Sequence, residues 1–253
     1  MERKIALVSG ATAGIGKAVA KGFAANNFNV VITGRRNERL RETADECKKL
    51  FGVDVYTLCF DIRDRAATEA AVQSLPDGWK KIDVLVNNAG LAAGLDTMQN
   101  SSVDDWEEMI DTNVKGLLYL TRQVATGMVE RNGGHIINMG SLAGKFVYEK
   151  GGVYCATKFA VDALSQAMRI DMLKHNIKVT AVHPGAVETD FSLVRFKGDE
   201  QKAANVYKGY DPLTANDVAD VVLYCAMLPK HVCVNEIVVT PTAQANPYYI
   251  NRS

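Results

Sequence analysis

The stretch SGATAGIGKAVAKGFAANN, residues 9–27, decides the fold. It follows an apolar run at 4–9 and places Gly10, Gly14 and Gly16 in a turn that opens directly into a helical pattern. Glycines let the backbone pass close to a pyrophosphate, while the helix start offers unpaired N–H groups and the positive end of its dipole. The spacing is G-x-x-x-G-x-G rather than the G-x-G-x-x-G fingerprint, and a Walker A loop is excluded because Ala18 follows Lys17. A dinucleotide is the expected guest, with Gly10, Thr12, Gly14, Ile15 and Gly16 as contacts.

Outward from this turn, runs rich in Val and Ile recur at 28–33, 54–60, 83–87, 134–139, 177–183 and 236–240, separated by stretches of helical periodicity. Segments such as VLVN and HIINM are apolar on both faces, as strands covered above and below by helices must be. The expected fold class is α/β, a single-domain, doubly wound (Rossmann-like) chain with a seven-stranded parallel sheet flanked by helices. With no Pro/Ser-rich linker, residues 1–253 read as one dinucleotide-binding catalytic domain. The irregular segment at 189–213 reads as a surface flap over a substrate. The tail at 241–253 is expected either to fray or to pack Tyr248 and Tyr249 on a neighbouring subunit.

Lys plus Arg and Asp plus Glu number 29 each, so no global field favours nucleic acid or anionic lipid. The N-terminal sequence carries neither a signal-peptide pattern nor a membrane span. Cys47, Cys59, Cys155, Cys225 and Cys233 form no C-x-x-C pair and read as free thiols of a reducing, cytoplasmic compartment. His135, His175, His183 and His231 stand apart, without a Cys or carboxylate at ligand spacing, so no metal is expected. The helical stretches at 102–131 and 152–175 are apolar on more than one face, and the second carries Phe159, Leu164 and Met168 among alanines. One face can meet the sheet and another a second copy, hence an expected oligomer.

The second strand ends in VVITGRRNERL, residues 30–40. NAD-binding chains place a carboxylate near this point for the ribose 2′-hydroxyl. Here Gly34 stands there, followed by Arg35 and Arg36, so repulsion is absent and guanidinium forks are available for a 2′-phosphate. NADP is the expected cofactor.

In SLAGKFVYEKGGVYCATK, residues 141–158, Tyr154 and Lys158 lie four apart, on one helix face and about 6 Å along its axis. Ser141 ends the preceding strand, on the side of a parallel sheet where ligands bind. A phenol ionises near 10, and a neighbouring ammonium favours the phenolate; moving the value to about 7 takes roughly 4 kcal/mol. Tyr154 is then the general acid for carbonyl reduction and the base for alcohol oxidation, with Lys158 lowering its acidity constant and Ser141 hydrogen-bonding the substrate oxygen. A serine hydrolase is disfavoured, since M-G-S-L-A lacks the G-x-S-x-G elbow.

SGATAGIG, NNAG, the Ser141/Tyr154/Lys158 set and HPGAVETD together resemble the short-chain dehydrogenase/reductase family over almost the whole chain. The resemblance implies that Asn113, in DTNVKG, completes a catalytic tetrad by holding a water that relays protons from the lysine. It implies that Asp61 and Ile62 border the adenine, that Asn88, Ala89 and Gly90 line the cofactor, and that Lys158 also touches the nicotinamide ribose. Pro184, Gly185, Val187 and Thr189 would cover the nicotinamide amide. The departure is Ser9, where threonine is more usual, and its hydroxyl is retained. Within the family, residues 90–122, 127–141 and 192–199 are similar to the NADP-dependent 3-hydroxy acid (serine or allo-threonine) dehydrogenases. That similarity implies a homotetramer oxidising the 3-hydroxyl of a small acid such as serine, allo-threonine or 3-hydroxypropionate.

An acid substrate needs a cation near the reacting carbon, and the flap supplies Arg195 and Lys197. Arg195 can offer two parallel hydrogen bonds and is nominated as the carboxylate clamp. Two other readings stand beside this one. The first is a carbonyl or 3-ketoacyl reductase of the same fold with a larger substrate; the second is a non-catalytic module that binds the cofactor to sense redox state.

Overall fold

Side chains of β1 (Ile5–Val8) alternate between two apolar layers, and that alternation builds the molecule. Ala6 and Val8 face a core made with α1 (Gly14–Ala25), α2 (Asn37–Phe51) and α9 (Ala215–Met227). Ile5 and Leu7 face a second core with α5 (Leu117–Glu130) and α6 (Gly152–Asp171). All four strand residues are buried, as a parallel sheet covered on both faces requires. The computed structural model describes residues 3–253.

The other strands are β2 (Asn29–Gly34), β3 (Val55–Cys59), β4 (Ile82–Asn87), β5 (Gly134–Met139), β6 (Ile177–Pro184) and β7 (Glu236–Val239). They form one parallel sheet in the order β3-β2-β1-β4-β5-β6-β7. The order reverses between β1 and β4, and connections leaving these strands in opposite directions open a crevice at their carboxyl ends. The doubly wound, seven-stranded expectation therefore holds, with strand ends shifted by a residue or two.

The helical stretch expected at 102–131 is interrupted. It divides into α4 (Val103–Ile110), a π-helical turn Asp111–Gly116 and α5. The wider turn swings Thr112 and Asn113 inward to burial, and Gly116 passes so near Ile62 that a Cβ there would lie 2.9 Å from it. Apolar periodicity does not report an i→i+5 insertion. The stretch at 152–175 is α6 followed by a short 3₁₀ turn, Leu173–His175.

The segment at 189–213 is more ordered than its composition suggests. Thr189 caps α7 (Asp190–Arg195) by accepting from the Phe191 N–H, and Asp199 caps α8 (Glu200–Asn205) by accepting from Lys202. Two helices of six residues each are too short to show a periodic stripe. The tail is tied down within its own chain. Arg252 donates to the carbonyls of Val206 and Lys208, and the Ser253 N–H to Gly209, which ties the chain's last residues to its own flap. Tyr248 donates to the Val147 carbonyl, while the Gln244 side chain is buried against Gly185 and accepts from the Ala186 N–H at 2.8 Å.

Candidate active site

The crevice between the diverging strands deepens into a cleft of about 860 Å³ that reaches from the glycine turn to the flap. Every site residue named from the sequence lines it except Asn113. Gly10 sits at φ +67°, and a Cβ there would stand 2.9 Å from the Ala89 backbone, so the turn is closed to larger residues. The Ser9 hydroxyl accepts from both the Asn88 and Ala89 N–H groups at 3.0 Å, fixing the turn to the end of β4. Ala13, at the start of α1, provides no side-chain cap and the first turn holds no acid. Its N–H groups are left for an anion.

Arg36 lies across the turn, its Nη2 donating to Thr12 Oγ1 at 2.7 Å. Arg35 is half-exposed, 3.7 Å from Asp61 and 4.0 Å from Glu108. Gly34 abuts Thr12: a Cβ at Gly34 would come within 2.5 Å of Thr12 Cγ2. Asp61 is held by both its oxygens to Arg63, at 2.7–3.1 Å, with Ile62 beside it on the cleft wall. The glycine cradle, the uncapped helix and the guanidinium pair fit a dinucleotide carrying an extra phosphate.

At the other end, Ser141 begins the turn after β5, its Oγ accepting from the Ala143 N–H at 3.1 Å and within hydrogen-bonding reach of the Tyr154 phenol. Tyr154 and Lys158 are both buried on α6. Burial pushes the Tyr154 phenol up, as does nearby Tyr148, against the opposing pull of Arg195 and the Ser141 hydroxyl. Burial alone brings Lys158 down to about 8. Its ammonium donates to the Met139 carbonyl at 2.8 Å, sits 5.9 Å from the ring centroid, and carries a charge that burial disfavours.

Asn113 lies outside the cleft lining. It lies behind Gly90, where Oδ1 accepts from the Leu91 N–H at 2.8 Å and Nδ2 donates to the Leu91 carbonyl and to Thr157 Oγ1. The side chain holds the loop after β4. Asn87 and Asn138, side by side at 2.8 Å and continued by Ser165, make a buried polar ladder beneath the site that the sequence reading missed. Neither asparagine belongs to a spacing pattern that points at its partner.

Arg195 enters the site from α7. Its guanidinium carbon stands 4.9 Å from the Tyr154 ring centroid and 5.7 Å from those of Tyr148 and Phe191, and Nη2 donates to the Tyr148 hydroxyl. Nε is buried without a partner, and no Asp or Glu among the described residues lies within ion-pair distance of this group. Lys197, two residues on, turns away and pairs with Asp105 at 2.9 Å. The sequence placed no carboxylate beside a histidine, but the fold brings Asp162 and Glu236 to His183 within 4.8 Å. Lys145 joins both carboxylates, at 3.0 and 2.7 Å.

The short-chain dehydrogenase family model matches residues 4–199, and the chain belongs to that family. It is 50% identical over 242 residues to the NADP-dependent 3-hydroxy acid dehydrogenase YdfG of Salmonella typhi, covering 95% of this chain and 96% of the relative. It is 41% identical to sulfoacetaldehyde reductase 2 of Chromohalobacter salexigens, with 95% of each chain covered. Among solved structures, the closed form of a serine dehydrogenase complexed with NADP+ superposes with a TM-score of 0.91 at 47% identity, over 96% of this chain and 97% of the other.

Proposed function

We propose that this chain is an NADP(H)-dependent dehydrogenase of small 3-hydroxy acids, such as serine, allo-threonine or 3-hydroxypropionate. The observation that carries the reading is the Arg195 guanidinium over the Tyr154 ring, with its buried Nε left without a partner. A three-carbon acid spans roughly 4 Å from its 3-oxygen to its carboxylate, given bonds near 1.5 Å. With the 3-oxygen between Ser141 and Tyr154, the acid group meets Arg195. Relatives named for 3-hydroxy acids, serine and sulfoacetaldehyde support an anionic head opposite the reacting carbon.

The cofactor supplies hydride exchange at carbon. In oxidation Tyr154 takes the hydroxyl proton as the C–H electron pair departs with hydride; in reduction it returns that proton to the oxygen. Ser141 donates to the oxygen as charge builds. Lys158 touches the nicotinamide ribose and keeps the Met139 turn in place. Asn113 positions the loop bearing Gly90 and Leu91, and any proton relay there runs through its main chain. Arg35 and Arg36 hold the 2′-phosphate, Asp61 and Ile62 border the adenine, and Pro184, Gly185, Val187 and Thr189 cover the amide end. We also read the protein as a homotetramer. Ile170 and Leu173, 75% and 73% exposed at the end of α6, offer an apolar face for a second copy. The five unpaired cysteines fit a reducing cytoplasm.

The test is a spectrophotometric screen with NADP and NAD across serine, both threonine diastereomers, 3-hydroxypropionate, 3-hydroxybutyrate and neutral alcohols. Turnover confined to the acids with NADP is expected, and Tyr154→Phe should lower it by about 10²–10⁴-fold. Equal rates on acids and neutral alcohols, or full turnover by Tyr154→Phe, would refute the reading.

A further inference from the structure

His183 opens the HPGAVETD stretch, yet neither the cofactor contacts nor the proton chemistry use it. It is the penultimate residue of β6 and is fully buried. Its Nδ1 lies against the main chain of Ser141, 3.4 Å from the N–H nitrogen and 3.2 Å from the carbonyl oxygen. A Cβ on Gly140 would stand 2.4 Å from the same ring nitrogen, so the ring reaches this turn only past a glycine. The other nitrogen, Nε2, makes no hydrogen bond among the described residues, and Asp162 Oδ1 stands 3.7 Å from it. Asp162 is itself held: its Oδ2 accepts from Lys145 at 3.0 Å and from Gln166 at 3.3 Å, and Lys145 also reaches Glu236. Burial, with the charge of Lys145, pushes the imidazole below its ordinary range, so the ring is neutral and carries one N–H.

We propose that His183 is the positioning residue for Ser141: its bare Nδ1 accepts from the Ser141 main-chain N–H and fixes the turn that presents the serine hydroxyl to the substrate oxygen. This rests on the reading of Ser141 as a donor to that oxygen. Which ring nitrogen is bare follows from its surroundings. The Asp162 carboxylate favours a proton on Nε2, which faces it, and disfavours a lone pair there. Nδ1 is then an acceptor, and the Ser141 N–H is the donor beside it. The Ser141 carbonyl does not need the ring, because it accepts from the Gly144 N–H at 2.8 Å. The serine Oγ accepts from the Ala143 N–H at 3.1 Å, so each polar group of the residue is placed and the hydroxyl hydrogen is left for the cleft. In a hydrolase triad the imidazole takes a proton from the serine oxygen; here it meets the main chain and exchanges none.

A double-mutant cycle separates this role from a packing one. Single-turnover hydride transfer from 3-hydroxypropionate is to be followed in the wild type, His183→Phe, His183→Asn, Ser141→Ala and the double variant His183→Phe with Ser141→Ala, with NADPH affinity measured in each. Phenylalanine keeps a ring and removes the acceptor, whereas an asparagine amide oxygen stands where Nδ1 stood. His183→Phe is expected to slow transfer about ten- to a hundredfold with NADPH affinity kept, and His183→Asn to return most of the rate. In the Ser141→Ala background the same phenylalanine substitution is expected to cost less than about twofold, because an absent hydroxyl cannot be misplaced. An equal loss in both backgrounds overturns the proposal, as does a His183→Asn rate no better than that of His183→Phe. Nitrogen NMR spectra of the histidine-labelled wild type test the tautomer with no substitution at all. A proton on Nε2 of His183 and none on Nδ1 is expected, and the reverse overturns the proposal even where a variant fails to fold. Full turnover by Ser141→Ala is the separate result that removes the reading of Ser141 beneath it.

Discussion

Lys158 gives its ammonium to the carbonyl of Met139, at 2.8 Å, and not to the phenol of Tyr154 one helical turn away. The placement ties α6 to the end of β5 and keeps a charge in a buried position. Burial brings this lysine down to about 8, against 10.5 in an unfolded chain. Between those values the unfolded state binds the extra proton, so stability rises with pH across that window and the penalty is complete below about 8. Lys158→Met is expected to stabilise the fold at pH 7 by about 2 kcal/mol, less than the full shift because the Met139 carbonyl loses its donor. The gain should shrink from pH 8 toward 10.5 in urea titrations, while turnover is lost.

His135 gives the opposite edge of the pH range. It is buried on β5 with Nε2 on Thr180 Oγ1 at 2.8 Å, and burial, helped by Lys178, brings it from 6.5 to about 3. Its contribution is intact above 6.5 and drains as pH falls toward 3, because the unfolded chain takes up the proton first. By pH 5 the loss amounts to roughly 2 kcal/mol. His135→Gln should flatten the fall in urea midpoint between pH 6.5 and 5 relative to the wild type; an unchanged slope would assign acid sensitivity elsewhere.

Arg36 should carry much of the preference for the phosphorylated cofactor, because its guanidinium is already laid over the glycine turn by Thr12. Removing one charged hydrogen-bonding partner of a phosphate is worth about 1.5–3 kcal/mol. Arg36→Ala is therefore expected to weaken NADPH binding about ten- to a hundredfold and NADH binding far less, measured by quenching of protein fluorescence.

Truncation after Thr242 removes Gln244, Tyr248, Arg252 and Ser253, and with them the ties to Ala186, Val147 and the Val206–Gly209 segment. The flap then loses its outer support. A KM for the acid raised several-fold, with proteolytic cleavage appearing near 196–209 and nucleotide affinity kept, is the expected result. Uncut protein with an unchanged KM would show the ties to be incidental.

The seven parallel strands were legible because strands buried on two faces write their apolar runs into the sequence, and the turn after β1 does the same through Gly10, Gly14 and Gly16. Tyr154, Lys158 and Ser141 were legible as a set through helical spacing and a strand end. What escaped reading depends on contacts between distant segments. Asn113 was named, but its bonds to Leu91 arise only once a π-helical turn rotates it inward. The preference of Lys158 for Met139 over Tyr154 turns on a side-chain direction that a spacing of four leaves open. The attachment of the tail escaped reading because its hydrogen bonds run to backbone carbonyls of the flap, which have no signature in residue type.

The press of Gly34 against Thr12 constrains how descendants of this enzyme can change nucleotide. An acidic residue at Gly34, the direct route to NAD, meets the Thr12 methyl before any ribose is bound. Threonine at 12 has to shrink first, and that change by itself releases Arg36 from its anchor. The switch thus passes through an intermediate that is poorer with the old partner and not yet good with the new, a valley that point mutations must cross in pairs.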